Sequence, residues 1–302
     1  APRAGEFPPV TAHGQTTKGS GLKWVGRAIR RLEDPALIVG QGFDSHVTAL
    51  HVKSDPSNAV PLVGEGMSGV MVEEMISAAE KQSDERARQT RAVFDERRES
   101  YGAPLVPLPP APGFSMAWRE EVGREEDVVA RCARLADLVV LGRPVADREL
   151  PAVMTLNAAL MESGRPLLVA PPQMPAGAGA RCIAVAWNGS AEAARAVSAA
   201  LPLLGAAEQV HIFSAEEADG DPVLAPTELR AYLSWHGIAA ECHSFTASTA
   251  HAGEVLLAEV IRHGCDLVVM GAYTHSRLRQ LILGGVTRHM LHHATVPVLM
   301  MH

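Results

Sequence analysis

The segment ADLVVLGRP at 136–144 returns as CDLVVMGAY at 265–273, and the echo is not isolated. Downstream, GRPLLVAPP at 164–172 answers to TVPVLMMH at 295–302, each setting a proline before a short apolar run. Upstream, HVTALHV at 46–52 answers to QVHIFSA at 209–215. Three matched segments in one order mark a tandem repeat, which any fold must satisfy twice over. PPQMPAGAGA at 171–180 reads as the linker by composition, so the expected domains are 1–172 and 178–302. A length of 302 residues accommodates two domains of about 150 residues each.

The second copy is the easier to read. RCIAVAWN at 181–188 is a buried strand, and the Ala-rich GSAEAARAVSAALPLL that follows is helical. A strand near 210–213, a helix near 226–235, a strand near 241–246 and a helix near 251–263 come next. DLVVMG then forms a strand, a last helix starts near Gly284-Gly285, and VPVLMM closes the chain. Strands alternating with helices imply βαβ crossovers and a parallel sheet covered on both faces. The expected fold class is therefore α/β, two tandem doubly wound parallel-sheet sandwiches. In the first copy a polar helix near 68–100 carries EKQSDERARQTRAVFDERRES, read as a solvated face, before the Pro-rich APLVPLPPAPG. TTKGSGLKWVGRA at 16–28 offers only a poor first strand, so that strand is expected to be degenerate or missing.

Composition excludes some function classes. With 47% hydrophobic and 20% charged residues, the chain can bury real cores. A net charge of −7 argues against a nucleic-acid partner, which calls for a basic face. No apolar run reaches the 18 or so residues of a membrane span, and residues 1–21 lack a signal peptide's apolar core and read as a flexible lead-in. Cys132, Cys182, Cys242 and Cys265 form no CxxC pair; three of them adjoin or sit in apolar runs and read as buried free thiols, a usage suited to a reducing cytoplasm.

Ligands of an open parallel sheet bind beyond the carboxyl ends of the strands, where strand order reverses. In the second copy that places WNGS at 187–190 beside the loop after DLVVMG. Gly271 allows close backbone approach, and a helix opening at Gly284-Gly285 presents unpaired N–H groups to an anion. Thr287 can add a hydroxyl, and Arg277, Arg279 and Arg288 can add charge.

These segments, VAWNGSAEAARAV, DLVVMGAYTHSRLRQLILGGVTRHML and the closing VPVLMM, resemble the universal stress protein family, and in particular its tandem two-domain members. The resemblance runs from about Ala28 onward. Nucleotide-binding members carry G-x2-G-x9-G-[S/T] after the fourth strand and an Asp in the first loop. By position these fall on Gly271, Thr274, Gly284 and Gly285, and on Asn188. The spacing is kept, while three residue types are not. Asn188 retains a side-chain carbonyl for a base or ribose, and Gly285 retains its backbone N–H. Thr274 is the costly change, because a β-branched residue in a left-handed position carries about 1–3 kcal/mol of strain. The candidate adenine-nucleotide (ATP-type) residues are thus Asn188, Gly271, Thr274, His275, Gly284, Gly285, Val286 and Thr287.

The resemblance implies a non-catalytic stress-response protein. One reading gives it a weak adenine-nucleotide site in the second copy; the other gives it protein contacts and no nucleotide. A slow ATPase is the least supported, with no general base in the loop. The first copy, where Val153-Met154 replace the glycine pair, is expected to pack rather than bind. In the family the last strand of each domain pairs with its counterpart, so RPLLVA and VPVLMM should dock the two copies within one chain, leaving a homo-oligomer open. Two further groups carry no chemistry here. His289, His292 and His293 share a helix face without a nearby acid or Cys ligand set, and no metal is expected there. Ser190 is a helix N-cap outside any G-x-S-x-G elbow, and Glu120, Glu121, Glu125, Glu126 and Asp127 suit a helix start.

Overall fold

The computed structural model describes residues 21–25, 33–55, 69–110, 113–143, 150–173, 179–215, 224–248, 251–273 and 285–302. In the first half, β1 (Gly21–Val25), α1 (Glu33–Gly42), β2 (His46–Lys53), α2 (Gly69–Ser100) and β3 (Ser115–Val122) come in turn. They are followed by α3 (Glu125–Ala133), β4 (Val139–Gly142), α4 (Leu150–Glu162) and β5 (Leu167–Ala170). The second half repeats the plan with β6 (Cys182–Ala186), α5 (Ala191–Ala206), β7 (Gln209–Ala215), α6 (Pro226–Trp235) and β8 (Glu241–Phe245). It ends with α7 (Ala252–Arg262), β9 (Leu267–Gly271), α8 (Gly285–His293) and β10 (Val298–Met301).

The ten strands of the described residues join one sheet, in the order β3-β2-β1-β4-β5-β10-β9-β6-β7-β8. Among the described residues every pairing inside a half is parallel, and the one antiparallel pairing, β5 with β10, joins the halves. Each half therefore has the doubly wound order, with its reversal between β1 and β4 or between β6 and β9. The first strand, expected to be degenerate or missing, is present: GLKWV pairs in parallel with both β2 and β4. Its backbone completes the ladder although its composition, with Gly21 and Lys23, is a weak match to a central strand.

Helices cover both faces. Residues of α1, α2, α5 and α6, among them Leu37, Phe94, Val197 and Leu233, fill the core on one face. Residues of α3, α4, α7 and α8, among them Val129, Leu160, Val260 and Met290, fill it on the other. The long α2 buries only Ser83, Ala87, Thr90 and Phe94, a one-sided stripe at helical spacing, and its first 14 residues bury none. The expected solvated face is what the helix shows. Among the described residues no helix is long and apolar enough to cross a membrane.

Two local features fix how elements meet. Gly271 ends β9 against the start of α5, where an added Cβ would lie 2.5 Å from the Ala193 backbone nitrogen and 2.8 Å from the Glu192 carbonyl carbon. Gly253, in the first turn of α7, lies so close to α8 that a Cβ would meet His289 Cβ at 2.6 Å. In the first half His51 of β2 stacks on Trp118 of β3, which also contacts Phe94 of α2. Burial is the main cause holding His51 below the ordinary histidine value. Lys53 and Arg86 push the same way, and Glu120 opposes them.

Replacing Gly271 by Ala should destabilise the chain by about 1–3 kcal/mol, since backbone cannot give way as a side-chain tip can; urea unfolding measures this. Acid should also weaken the fold. Below the ordinary histidine pKa of about 6.5 the unfolded chain takes up protons that folded His51 resists, so its contribution, intact above that pH, is lost as pH falls through the folded value. Urea midpoints at pH 7.5 and 5 should differ less in His51→Gln than in the parent chain.

Candidate functional site

The order reversal between β6 and β9 sets the carboxyl ends of two neighbouring parallel strands side by side. Ala186 pairs with Met270, so the chains leaving β6 and β9 carry Asn188 and Gly271 out of the same edge. The turn after β6 is built by its own side chains. Asn188 Oδ1 accepts from the Ser190 backbone N–H at 3.3 Å and from Ser190 Oγ at 2.8 Å. Gly189 takes a left-handed φ of 67°, and Ser190 Oγ in turn accepts from Ala193 N at 3.2 Å. Ser190 is the N-cap of α5, as its position suggested. The Asn188 carbonyl faces this turn, and the residue is exposed in the crevice.

The rest of the expected cradle is divided. Gly271 stands at the strand end, where its missing side chain makes room for the first turn of α5. Gly285 is the first residue of α8 and exposed; Val286 is half-buried and Thr287 is buried. Val286 lies against Gly253 of α7, so helix packing as well as any ligand constrains this end of α8. Thr274, His275 and Gly284, with Arg277 and Arg279, lie outside the described residues, as does the strain expected at Thr274. Val153-Met154 fall within α4, so the first half has a helix in place of a glycine pair.

Between the halves, the same edge carries a polar bridge. Tyr273 takes a left-handed φ of 62°, and its phenol donates to Asn157 Oδ1 of α4 at 2.5 Å. Burial pushes that phenol up to about 12. His302 packs edge-on to the ring of Tyr273, with its Nδ1 3.2 Å from the Ala272 carbonyl. At the opposite edge, beside the start of β10, Arg143 of the first half donates to the Ala294 carbonyl at 2.6 Å.

Other singled-out residues have structural roles. Glu120 accepts from Trp118 Nε1 and pairs with Lys53, while Glu121 pairs with Arg119 and Arg131. Glu125, Glu126 and Asp127 occupy the first turn of α3. The rings of His289 and His293 lie 4.5 Å apart on α8.

A second concentration of chemistry was not visible in the sequence. At the amino ends of β6, β7, β8 and β9, Cys182, His211, His243, His263 and Cys265 gather on one face. His211 Nδ1 and His243 Nε2 are 3.0 Å apart, and Cys182 Sγ donates to Cys265 Sγ at 3.4 Å. Burial first, then the neighbouring imidazoles of His243 and His263, hold His211 below the ordinary histidine value. Burial likewise leads the lowering at His243 and the raising at both thiols. Cys182 opens β6, His211 and His243 stand third in β7 and β8, and His263 and Cys265 lie between α7 and β9; parallel register brings them together.

Comparison with known proteins agrees with this geometry. Residues 180–302 match the model of the universal stress protein family. The chain is similar to a universal stress protein from Archaeoglobus fulgidus DSM 4304, with a TM-score of 0.64 at 15% identity over 92% of this chain and 97% of that one. It is also similar to a putative universal stress protein from Pseudomonas aeruginosa UCBPP-PA14, with a TM-score of 0.54 at 14% identity over 94% of this chain and 92% of that one. No curated protein matches. At such identities the two structures speak for the fold. Residues 180–302 thus match the universal stress protein family, and nearly the whole chain shares the fold of these solved structures.

Proposed function

We propose that this chain is a stress-response binding protein that acts by occupancy rather than turnover, and that its second half, 178–302, takes an adenine nucleotide weakly. The first half, 1–172, serves as the packing partner that completes the sheet. The observation that carries this reading is the open edge at the β6–β9 order reversal, where Asn188 and Gly271 emerge from adjacent strands. Gly284 lies at the family's spacing from Gly271 in the sequence, and α8 opens one residue later. The N–H groups of the first turn of α8, which have no partner within the helix, suit phosphate, and the Asn188 side chain suits base or ribose. Turnover is not favoured, because Ser190 donates to Asn188 and accepts from Ala193 and is thereby committed to the α5 cap.

A second reading also has an observation behind it. Gly271 is required by the approach of α5, and Asn188 Oδ1 is engaged by Ser190, so both residues have reasons to be there without a ligand. On that account the same surface serves protein contacts alone.

Calorimetric titration of the full chain with ATP, ADP and AMP, with and without Mg²⁺, separates the two. Dissociation constants of about 10–100 µM are expected for at least one nucleotide, corresponding to roughly 5.5–6.8 kcal/mol; silence to the millimolar range leaves the protein-contact reading. Thr274→Gly should tighten binding by about tenfold if strain at that position is what weakens the site.

A further inference from the structure

The group at the amino ends of the second-half strands has the donor set of a metal centre. Cys182 opens β6, His211 stands third in β7, and Cys265 precedes β9 after α7. The two sulfurs and a ring nitrogen of His211 all lie within 4.8 Å of one another, and His211 and Cys265 are buried with Cys182 half-buried beside them. Bonds of roughly 2.0–2.3 Å in tetrahedral geometry require ligand–ligand edges of about 3.3–3.8 Å. The Sγ–Sγ separation of 3.4 Å already falls in that range.

The supports around these atoms are those that hold metal ligands. Asp266 fixes the start of β6 through hydrogen bonds that its carboxylate accepts from Gly179 N, Arg181 N and Cys182 N at 3.2, 3.1 and 3.0 Å. That clamp brings Cys182 to the residue beside Asp266, which is Cys265. His211 is oriented by His243 through its Nδ1, the kind of outer contact that sets tautomer and ring direction in metal-bound histidines. Phe213 and the ring of His263 pack against the same imidazole.

We propose that Cys182, His211 and Cys265 form a binding site for a thiophilic divalent cation of the Zn²⁺ type, with water or an added ligand in the fourth position. Binding replaces the two thiol protons by the cation, giving two thiolates, one neutral imidazole and no net charge at the site, and releasing two protons to solvent. A neutral assembly is far cheaper to bury than a bare cation or a lone thiolate. Thiolate and imidazole together select Zn²⁺ over the hard cations, which prefer oxygen. His211, Glu241 and His243 form a second set of three within the same distance, but Glu241 is exposed and contributes a harder donor. His211 belongs to both sets, so the cysteines decide which one is used.

Cobalt serves as the spectroscopic probe. The full chain, reduced, stripped with chelator and desalted, should take up one Co²⁺ with a thiolate-to-cobalt absorption band in the near ultraviolet, which Zn²⁺ then removes. Cys182→Ser should abolish the band and lower Zn²⁺ affinity by more than the roughly 10–100-fold that loss of an outer contact costs; Cys132→Ala and His289→Gln should keep both. Should the serine variant fail to fold, alkylation of the parent chain gives the answer independently. Zn²⁺ should protect Cys182 and Cys265 from iodoacetamide and leave the rate at Cys242 unchanged, read by peptide mass spectrometry. Absence of the cobalt band, its survival in Cys182→Ser, its loss in His289→Gln, or unprotected Cys182 and Cys265 each overturns the proposal. A chain that forms a Cys182–Cys265 disulfide and, once reduced, binds no Co²⁺ overturns it as well.

Discussion

The antiparallel pairing of β5 with β10 is the contact that makes one molecule out of two copies. Val169 faces Val298, Leu168 faces Leu299 and Leu167 faces Met300, and none of the six is more than 3% exposed. Without that pairing each half would end in a row of unpaired N–H and C=O groups flanked by apolar side chains, the kind of edge that natural sheets avoid exposing. With it, the two helix layers become continuous. Leu168 and Leu299 belong to one core, and Leu167, Val169, Val298 and Met300 belong to the other. Hydrogen bonding and apolar burial are satisfied together at the junction. The Tyr273–Asn157 and Arg143–Ala294 contacts that cross it act on an interface already closed by strand pairing.

This junction was legible because it is written in local apolar patterning. RPLLVA and VPVLMM each set a proline before a short apolar run, and these became central strands, β5 buried throughout and β10 at all but its last residue. The alternating plan of the second half was legible for the same reason, since the interiors of β6, β7 and β9 are buried on both faces and β6 and β9 read as continuous hydrophobic stretches. Where patterning fades, legibility fades with it. β1 carries Gly21 and Lys23 and was a poor candidate, yet two parallel neighbours supply its backbone partners, so position in the sheet overrode propensity. The edge strand β8 shows the opposite limit, with Glu241 and Ser244 exposed, and its end fell one residue short of expectation.

The candidate sites divide along the same line. The nucleotide-type edge could be named from the sequence because Gly271 and Gly284 belong to one continuous stretch and Asn188 follows a recognisable strand. What spacing could not convey is the second occupation of those residues. Gly271 yields its volume to α5, and Asn188 turns its carbonyl on Ser190, so features that look reserved for a ligand are also demanded by the fold. The cysteine–histidine group was illegible for a different reason. Its ligands come from three separate elements, and 83 positions separate the two cysteines. Only parallel register, with Cys182 opposite Gln209 and Ala184 opposite His211, brings them to one place.

These two places are opposite ends of one pair of strands. β6 runs from Cys182 toward Asn188, and β9 runs from just beyond Cys265 to Gly271. Five extended residues span about 17 Å, and the strand interiors between the ends, Ile183, Ala184, Val185, Val268 and Val269, are fully buried. A close-packed core of this kind resists continuous deformation. Occupancy at the amino ends would therefore reach the carboxyl ends by stabilising the folded second half, through the linkage of any ligand that prefers the folded chain, rather than by shifting the crevice. A cation would hold the strand starts together, and the crevice would keep its shape for whatever it binds.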